Sequence, residues 1–374
     1  MLPMLFAALL TTTGIDDVRL HDLSGEWEVR DTPILWGFHN LYNPQVVHEP
    51  DAEYPFKMWF FGYAAEEGNP GYPGGDAIFH ARSKDLDHWE VYVGDGHWDD
   101  AMDPHRFVPV LHPDPDAFDN MASGDPNVVR HEGVYYMAYS GVRFDTRKAE
   151  DGKDHLYLES VVMGARSEDG IHWTRTKRPV LMWAKERDVP WEIVDGKIPP
   201  CPDGYYGSYH RPALLFDQGK WRLWFDYFHP GTFVSMGCAE NTGDFMDPAQ
   251  WRIVRAGTAP LLKDWPNTAV VRADDTYYAV SDAPNYPAEL GGDSRQLTLA
   301  TSPDGLDWTV QGHLRPNGLE SSHVPELLVL DRDGRRWLYL FYAWKPARDP
   351  DGEWDFRYKQ IRYMRKALPK NWGQ

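Results

Sequence analysis

Five times along this chain a turn-prone pair opens an apolar run: Asn-Pro-Gln-Val-Val at Asn43, Asp-Pro-Asn-Val-Val at Asp125, Arg-Pro-Ala-Leu-Leu at Arg211, Asn-Thr-Ala-Val-Val at Asn267 and Val-Pro-Glu-Leu-Leu at Val324. The equivalent positions lie 82, 86, 56 and 57 residues apart. An aromatic run follows each, at residues 57–63, 134–140, 221–227, 276–281 and 337–344. A third run follows in every copy, at 77–83, 161–167, 234–240, 296–302 and 360–365. Strand-length runs divided by turn signals and recurring at a blade-sized period predict an all-β fold, a five-bladed β-propeller.

In four copies a short polar turn then leads to a Trp-centred run, at Trp89, Trp173, Trp251 and Trp308. The fifth copy lacks one, and its counterpart stands near the other end of the chain as Ser24-Gly-Glu-Trp27-Glu-Val. The N-terminal strand is therefore expected to complete the last blade and close the ring, hiding a sheet edge that would otherwise be free to pair with other chains. An open sandwich would not call for five equivalent units.

A propeller is an architecture in which one domain runs long, so residues 17–374 read as a single catalytic domain after a signal or disordered segment at 1–16. No Ser/Gly linker divides the repeats, and 17 Trp, 20 Tyr and 16 Phe supply bulk to fill the spaces between blades. The net charge of −19 argues against nucleic acid, whose phosphates call for a Lys/Arg face, and against anionic membranes. Cys201 and Cys238 are too few for a disulfide framework or a zinc cage, and whether they pair stays open. Residues 1–10 have the length of a signal-peptide core without a preceding Lys or Arg, and are too short to span a bilayer. Secreted, periplasmic and cytoplasmic placement all stay open, as does the oligomeric state.

In a four-stranded blade the start of strand one, the loop between strands two and three and the end of strand four emerge on one face. The innermost strands converge on the axis. The residues that open them can therefore meet around one pocket: Tyr42 and Asn43, Gly124 and Asp125, His210 and Arg211, Pro266 and Asn267, His323 and Glu326. Asn and Asp at such places also serve simply as turn residues. Arg211 carries a fork of donors suited to phosphate or a carboxylate, and could equally pair with Asp125.

The Asn-Pro and Asp-Pro openings, the Tyr-Tyr-Met-Ala-Tyr-Ser strand at 135–140 and the Ser-x-Asp-x-x-x-Trp connections at Ser83 and Ser167 resemble the five-bladed propeller glycoside hydrolase superfamily. Within it the likeness is to the arabinanase and xylosidase, invertase-like and mannoside-phosphorylase-like families, over residues 22–365. The resemblance implies a carbohydrate substrate. The first two families place Asp, Asp and Glu at the openings of blades one, two and three, where this chain has Asn43, Asp125 and the His210-Arg211 pair. Only the blade-two Asp survives. The phosphorylase-like family shares Asn-Pro in blade one and Asp-Pro in blade two, with Arg and His holding phosphate. Related propellers also suggest that no cofactor is required beyond a single structural cation, such as calcium, near the axis.

The expected function is hydrolysis of a plant, algal or microbial glycan by an inverting acid/base mechanism, which needs an acid for the leaving oxygen and a carboxylate to activate water. The alternatives are phosphorolysis, or glycan binding without turnover. Asp125, Glu326 and His210 are the candidate catalytic residues. Asn43, Tyr42, Arg211, Asn267, His323, Trp36 and Asp226 are the candidate substrate-binding ones. Asp76 and Asp293, each after Gly-Gly, read first as loop carboxylates. An aromatic rim for sugar rings is expected from Trp36, Phe38, Tyr42, Trp183, Trp191, Tyr205, Tyr206 and Tyr209, with residues 185–209, which include Glu192 and Asp195, as a wall of the active face.

Overall fold

The computed structural model describes residues 21–65, 69, 75–148, 154–182, 209–228, 234–256, 259–283, 296–315, 321–346 and 357–369. Trp183, Trp191, Glu192, Asp195, Cys201, Tyr205, Tyr206 and Asp293 lie outside them. Five antiparallel sheets form the five blades of a propeller. Blade one holds Asn40–His48, Phe56–Tyr63, Ala77–Ser83 and Trp89–Gly94, with a short fifth strand at His97–Asp99. Blade two holds Ala122–His131, Val134–Lys148, Asp154–Ser167 and Thr174–Arg175. Its middle strands run on well beyond the aromatic core that betrays them in sequence. Blade three holds Tyr209–Asp217, Lys220–Phe228, Val234–Asn241 and Arg252–Arg255, and blade four Ala269–Ala273, Thr276–Ala283, Gln296–Ser302 and Thr309–Leu314. Blade five holds Ser321–Arg332, Arg335–Lys345 and Gln360–Leu368.

The ring closes as the sequence predicts. Glu28 and Val29 pair with Arg365 and Met364, and Leu35 and Trp36 extend the edge opposite Ile361 and Gln360. The closing segment also reaches one blade further back. Leu23 N donates to His313 O at 2.9 Å, Arg315 N donates to Ser24 Oγ at 2.6 Å, and Trp27 shares a core with Ala269, Leu297 and Leu338. It thus joins blade four to blade five as well as completing the latter.

The Ser-x-Asp-x-x-x-Trp element is a turn whose side chains satisfy their own backbone. Ser167 Oγ accepts from Asp169 N and Gly170 N, Asp169 Oδ1 accepts from Ile171 N and His172 N, and Trp173 Nε1 donates to Gly170 O at 3.0 Å. The same Gly170 carbonyl accepts Trp59 Nε1 from blade one at 3.0 Å, so the turn also ties neighbouring blades. Gly305 repeats this for Trp308 and the Trp224 of blade three.

All five repeated openings share one backbone feature: Asn43, Asp125, Arg211, Asn267 and Val324 have φ between 42° and 56°. In blades one, two, three and five the pairing register skips at this point, as between Gly124 and Asn127. In those blades the inner strand therefore starts with a bulge, which bends it and re-aims its side chains. Asn and Asp tolerate the left-handed region, whereas Arg211 and the β-branched Val324 are strained there. The preceding blade holds three of the five openings in place. Ser140 Oγ accepts Arg211 N at 2.8 Å, Asp226 Oδ2 accepts Asn267 N at 2.6 Å and Asp282 Oδ2 accepts Val324 N at 3.1 Å. Ser140, Asp226 and Asp282 occupy equivalent places on strand two.

Candidate active site

Glu326 occupies the centre of the ring. Its Oε1 accepts Asn43 Nδ2 at 3.0 Å and Asn127 Nδ2 at 3.2 Å, and its Oε2 accepts Asn127 Nδ2 at 3.2 Å. Asn43 Nδ2 also reaches Pro126 O, and Asn127 Oδ1 accepts Leu214 N at 2.9 Å. One buried network thus crosses blades five, one, two and three. Burial pushes the Glu326 carboxyl up to about 8, against the two amides that favour its charge. Both oxygens are engaged in bracing, an arrangement that sequence alternation alone does not convey.

Asp125 is the electrostatic hub. Burial raises its carboxyl, while the Arg211 charge and a Ser140 hydrogen bond pull it down. Among the described residues its Oδ1 has no hydrogen-bond partner and faces Arg211 Nε, equally without one, at 3.7 Å. Arg211 Nη1 stands 4.0 Å from Asp226 Oδ2, so one guanidinium is shared between two carboxylates. Burial pushes Asp226 up to about 7, with Asp125 adding to the rise and Arg211 opposing it. His210, opposite Asp226 on the adjoining strand, is held neutral by burial and the Arg211 charge, well below the usual histidine range.

Asp76, which sequence alone reads as a loop carboxylate, is drawn to the same place. Gly75 N donates to Met121 O at 3.0 Å and Ser123 N donates to Asp76 O at 2.9 Å, laying residues 75–76 along the chain that leads into Asp125. Only glycine permits this, because a Cβ on Gly75 would lie 2.0 Å from Met121 O. Burial, and then the charge of Asp125, push Asp76 up to about 7, and its Oδ1 has no hydrogen-bond partner among the described residues. Asp76, Asp125 and Asp226 are therefore carboxylates linked through Asp125, which opposes the ionisation of the other two.

Asp282 and His323 form a dyad beside this cluster, and the charge of Asp282 adds to the rise of Asp125. The Asp282 carboxylate takes hydrogen bonds from His323 Nδ1 and Asn267 Nδ2. Tyr42 packs edge-on against His323 at 5.5 Å and against Tyr358 at 5.7 Å. Asp282 escapes sequence reading because Ser-Asp at a strand end carries no signal of its own; its blade-three equivalent, Asp226, is the available clue. Trp36 stands apart, 45% exposed on the outer edge of blade five at the active-face end. Three expected rim aromatics are buried: Tyr42 beside His323, and Phe38 and Tyr209 in the core. Phe38, in the bend between the Leu35–Trp36 and Asn40–His48 strands, packs between Phe60, Phe79 and Phe107, and Tyr209, the first residue of its strand, packs against Phe225 and Tyr227.

Among the described residues no group of three or more His, Cys, Asp or Glu is placed to hold a metal. The oxygens of Glu326 accept the Asn43 and Asn127 amides. Cys238 is a buried free thiol.

No protein-family model matches the chain, and no curated protein matches it by sequence. Solved structures do match. A complex of BT0996 with RGII aligns at a TM-score of 0.59 and 15% identity, covering 93% of this chain and 92% of the matched protein. A family 117 glycoside hydrolase from Zobellia galactanivorans aligns at 0.55 and 12%, covering 91% and 90%. An N-acetylgalactosamine deacetylase from F. plautii, in complex with blood group B trisaccharide, aligns at 0.53 and 14%, covering 91% and 96%. The fold is thus the five-bladed propeller found among glycoside hydrolases, and the deacetylase demonstrates that the same frame hosts another reaction.

Proposed function

We propose that the protein is a glycoside hydrolase that cleaves a glycan by acid/base chemistry with inversion, centred on Asp125 and Asp76. The observation that carries this is the pair itself: two acids brought together by the Gly75 contact, one beside a guanidinium and one not. In such a pair the first proton is lost from the member nearer the positive charge, and the other keeps its proton near neutrality. Asp125, beside Arg211, is then the ionised member that activates water. Asp76, raised to about 7, is the acid that protonates the leaving oxygen. A glycosidic bond held between them would place each group in its role without a metal or cofactor in the scheme.

The remaining residues bind and orient. Asn43 and Glu326 fix the shape of the site floor, Arg211 sets the ionisation of Asp125 and Asp226, and His323, Asn267 and a neutral His210 offer hydrogen bonds to sugar hydroxyls. Carbohydrate as substrate is supported by the fold and by the trisaccharide complex among the matched structures.

The test is a reducing-sugar assay over a glycan panel with and without phosphate, using the parent, Asp125→Asn and Asp76→Asn. Release that does not need phosphate and falls in both variants is the expected outcome. Phosphate-dependent release would replace hydrolysis with phosphorolysis.

A further inference from the structure

The register of blade five carries a row of residues from the axial residue cluster to the rim. Ser322, beside His323 on the inner strand, pairs with Trp344; Trp344 pairs with Gln360, and Gln360 with Trp36. Three inter-strand steps of about 4.8 Å put Trp36 about 14 Å outward from the inner strand on the same face. That is a span of a few linked sugar rings. At its end lies an open hollow of 560 Å³ lined by Thr32, Pro33, Trp36, Lys359 and Gln360.

Trp36 is one of two large apolar side chains exposed among the described residues, and its place is unusual for an exposed indole. Edge strands are normally guarded by charged residues or proline. Here an indole stands beside an amide and an ammonium, an apolar plane with hydrogen-bonding neighbours. A sugar ring matches that combination, with C–H groups on its face and hydroxyls around its edge. The neighbour Trp344 is already covered by Arg362, whose guanidinium lies 3.5 Å from its ring centroid, so it is Trp36 that offers an open face.

We propose that Trp36 and its hollow form a distal sugar subsite, so that the substrate is an extended oligosaccharide or polysaccharide laid radially along blade five with its reacting unit in the axial pocket. This rests on the glycan reading above, and continuity of the row with that pocket names the occupant.

The test measures binding in the Asp125→Asn background, so that turnover does not intrude. Neutral oligosaccharides from disaccharide to octasaccharide are titrated calorimetrically against that protein and against versions also carrying Trp36→Ala or Trp36→Tyr. Affinity should rise with length until the hollow is reached. Trp36→Ala should remove about tenfold from the long oligosaccharides and little from the disaccharides, while Trp36→Tyr should keep most of the gain. A length dependence unchanged by Trp36→Ala, or an equal loss at every length, overturns the subsite and leaves the axial reading standing. No binding of any oligosaccharide by the Trp36-intact protein overturns both.

Discussion

Asp125 Oδ1 and Arg211 Nε face each other at 3.7 Å across the boundary of blades two and three, and neither has a hydrogen-bond partner among the described residues. The pair is close enough for its charges to interact and too far apart to spend their hydrogen-bonding capacity on each other. Both atoms are buried, so each charge acts on the other through the protein interior and not through solvent.

Replacing Asp125 by Asn removes the ionisable group while keeping the shape, and Asn accepts the left-handed backbone at this position, φ 48°. Turnover should fall by about 10²-fold or more with the melting temperature nearly unchanged. An Asp125→Asn protein as active as the parent would make Asp125 a turn residue.

Asp76 should govern the alkaline limb. As the proton donor, raised to about 7 by burial and by Asp125, it must be protonated to act, so activity should decline as pH rises through that value. Asp125→Asn removes the charge that helps raise it, and the residual activity should then decline at a lower pH. Gly75→Ala should displace Asp76 and reduce turnover, because its Cβ would meet Met121 O. An alkaline limb that stays in place in Asp125→Asn would show that the two groups are not coupled.

Arg211 lowers both Asp125 and Asp226 by its charge. Arg211→Gln should move the acid limb of the pH profile upward. Arg211→Lys separates this role from anion recognition: loss confined to anionic substrates would point to a bidentate fork, whereas equal effects on charged and neutral sugars fit ionisation control.

Asp226 gives a stability test with a definite sign. Its folded value, about 7, lies above the ordinary carboxylate range, so the folded protein holds a proton that the unfolded chain releases near pH 4. That contribution is present below about pH 4 and is lost as pH rises through 7, at up to about 1.4 kcal/mol per pH unit. Asp226→Asn can keep the bonds to Asn267 N and Thr268 Oγ1. It should therefore gain on the parent in melting temperature between pH 5 and pH 8. A constant difference across that range would remove the claim.

The closing segment should stabilise the whole ring. Trp27→Ala should cost about 3 to 5 kcal/mol, the range for emptying a buried indole site, and deleting residues 1–31 should lower the melting temperature far more. A truncated protein that melts like the parent would mean that blade five closes by other means.

The fold is legible because every level of the sequence repeats it. The runs at 77–83 and 296–302 coincide with the strands Ala77–Ser83 and Gln296–Ser302, and the Trp27 strand completes blade five. Turn chemistry and aromatic alternation are local, and local signals survive in sequence. The site is legible only in part. Asp125 stands out beside Pro126, but its coupling to Asp76 depends on a backbone contact of Gly75 with Met121 that no spacing reveals. Glu326 is visible as a carboxylate on an inner strand. That Asn43 and Asn127 clamp it follows from two other blades, far away in the chain.

The most direct measurement of the central claim is proton NMR of a glycan digest, following the anomeric signal of the first product released by the parent and by Asp125→Asn. An inverting mechanism centred on Asp125 yields a new reducing end whose configuration is opposite to that of the bond cleaved, with release suppressed about 10²-fold in the variant. A product of retained configuration, removal of an acyl group with the glycosidic bond left whole, or undiminished release by Asp125→Asn would contradict it.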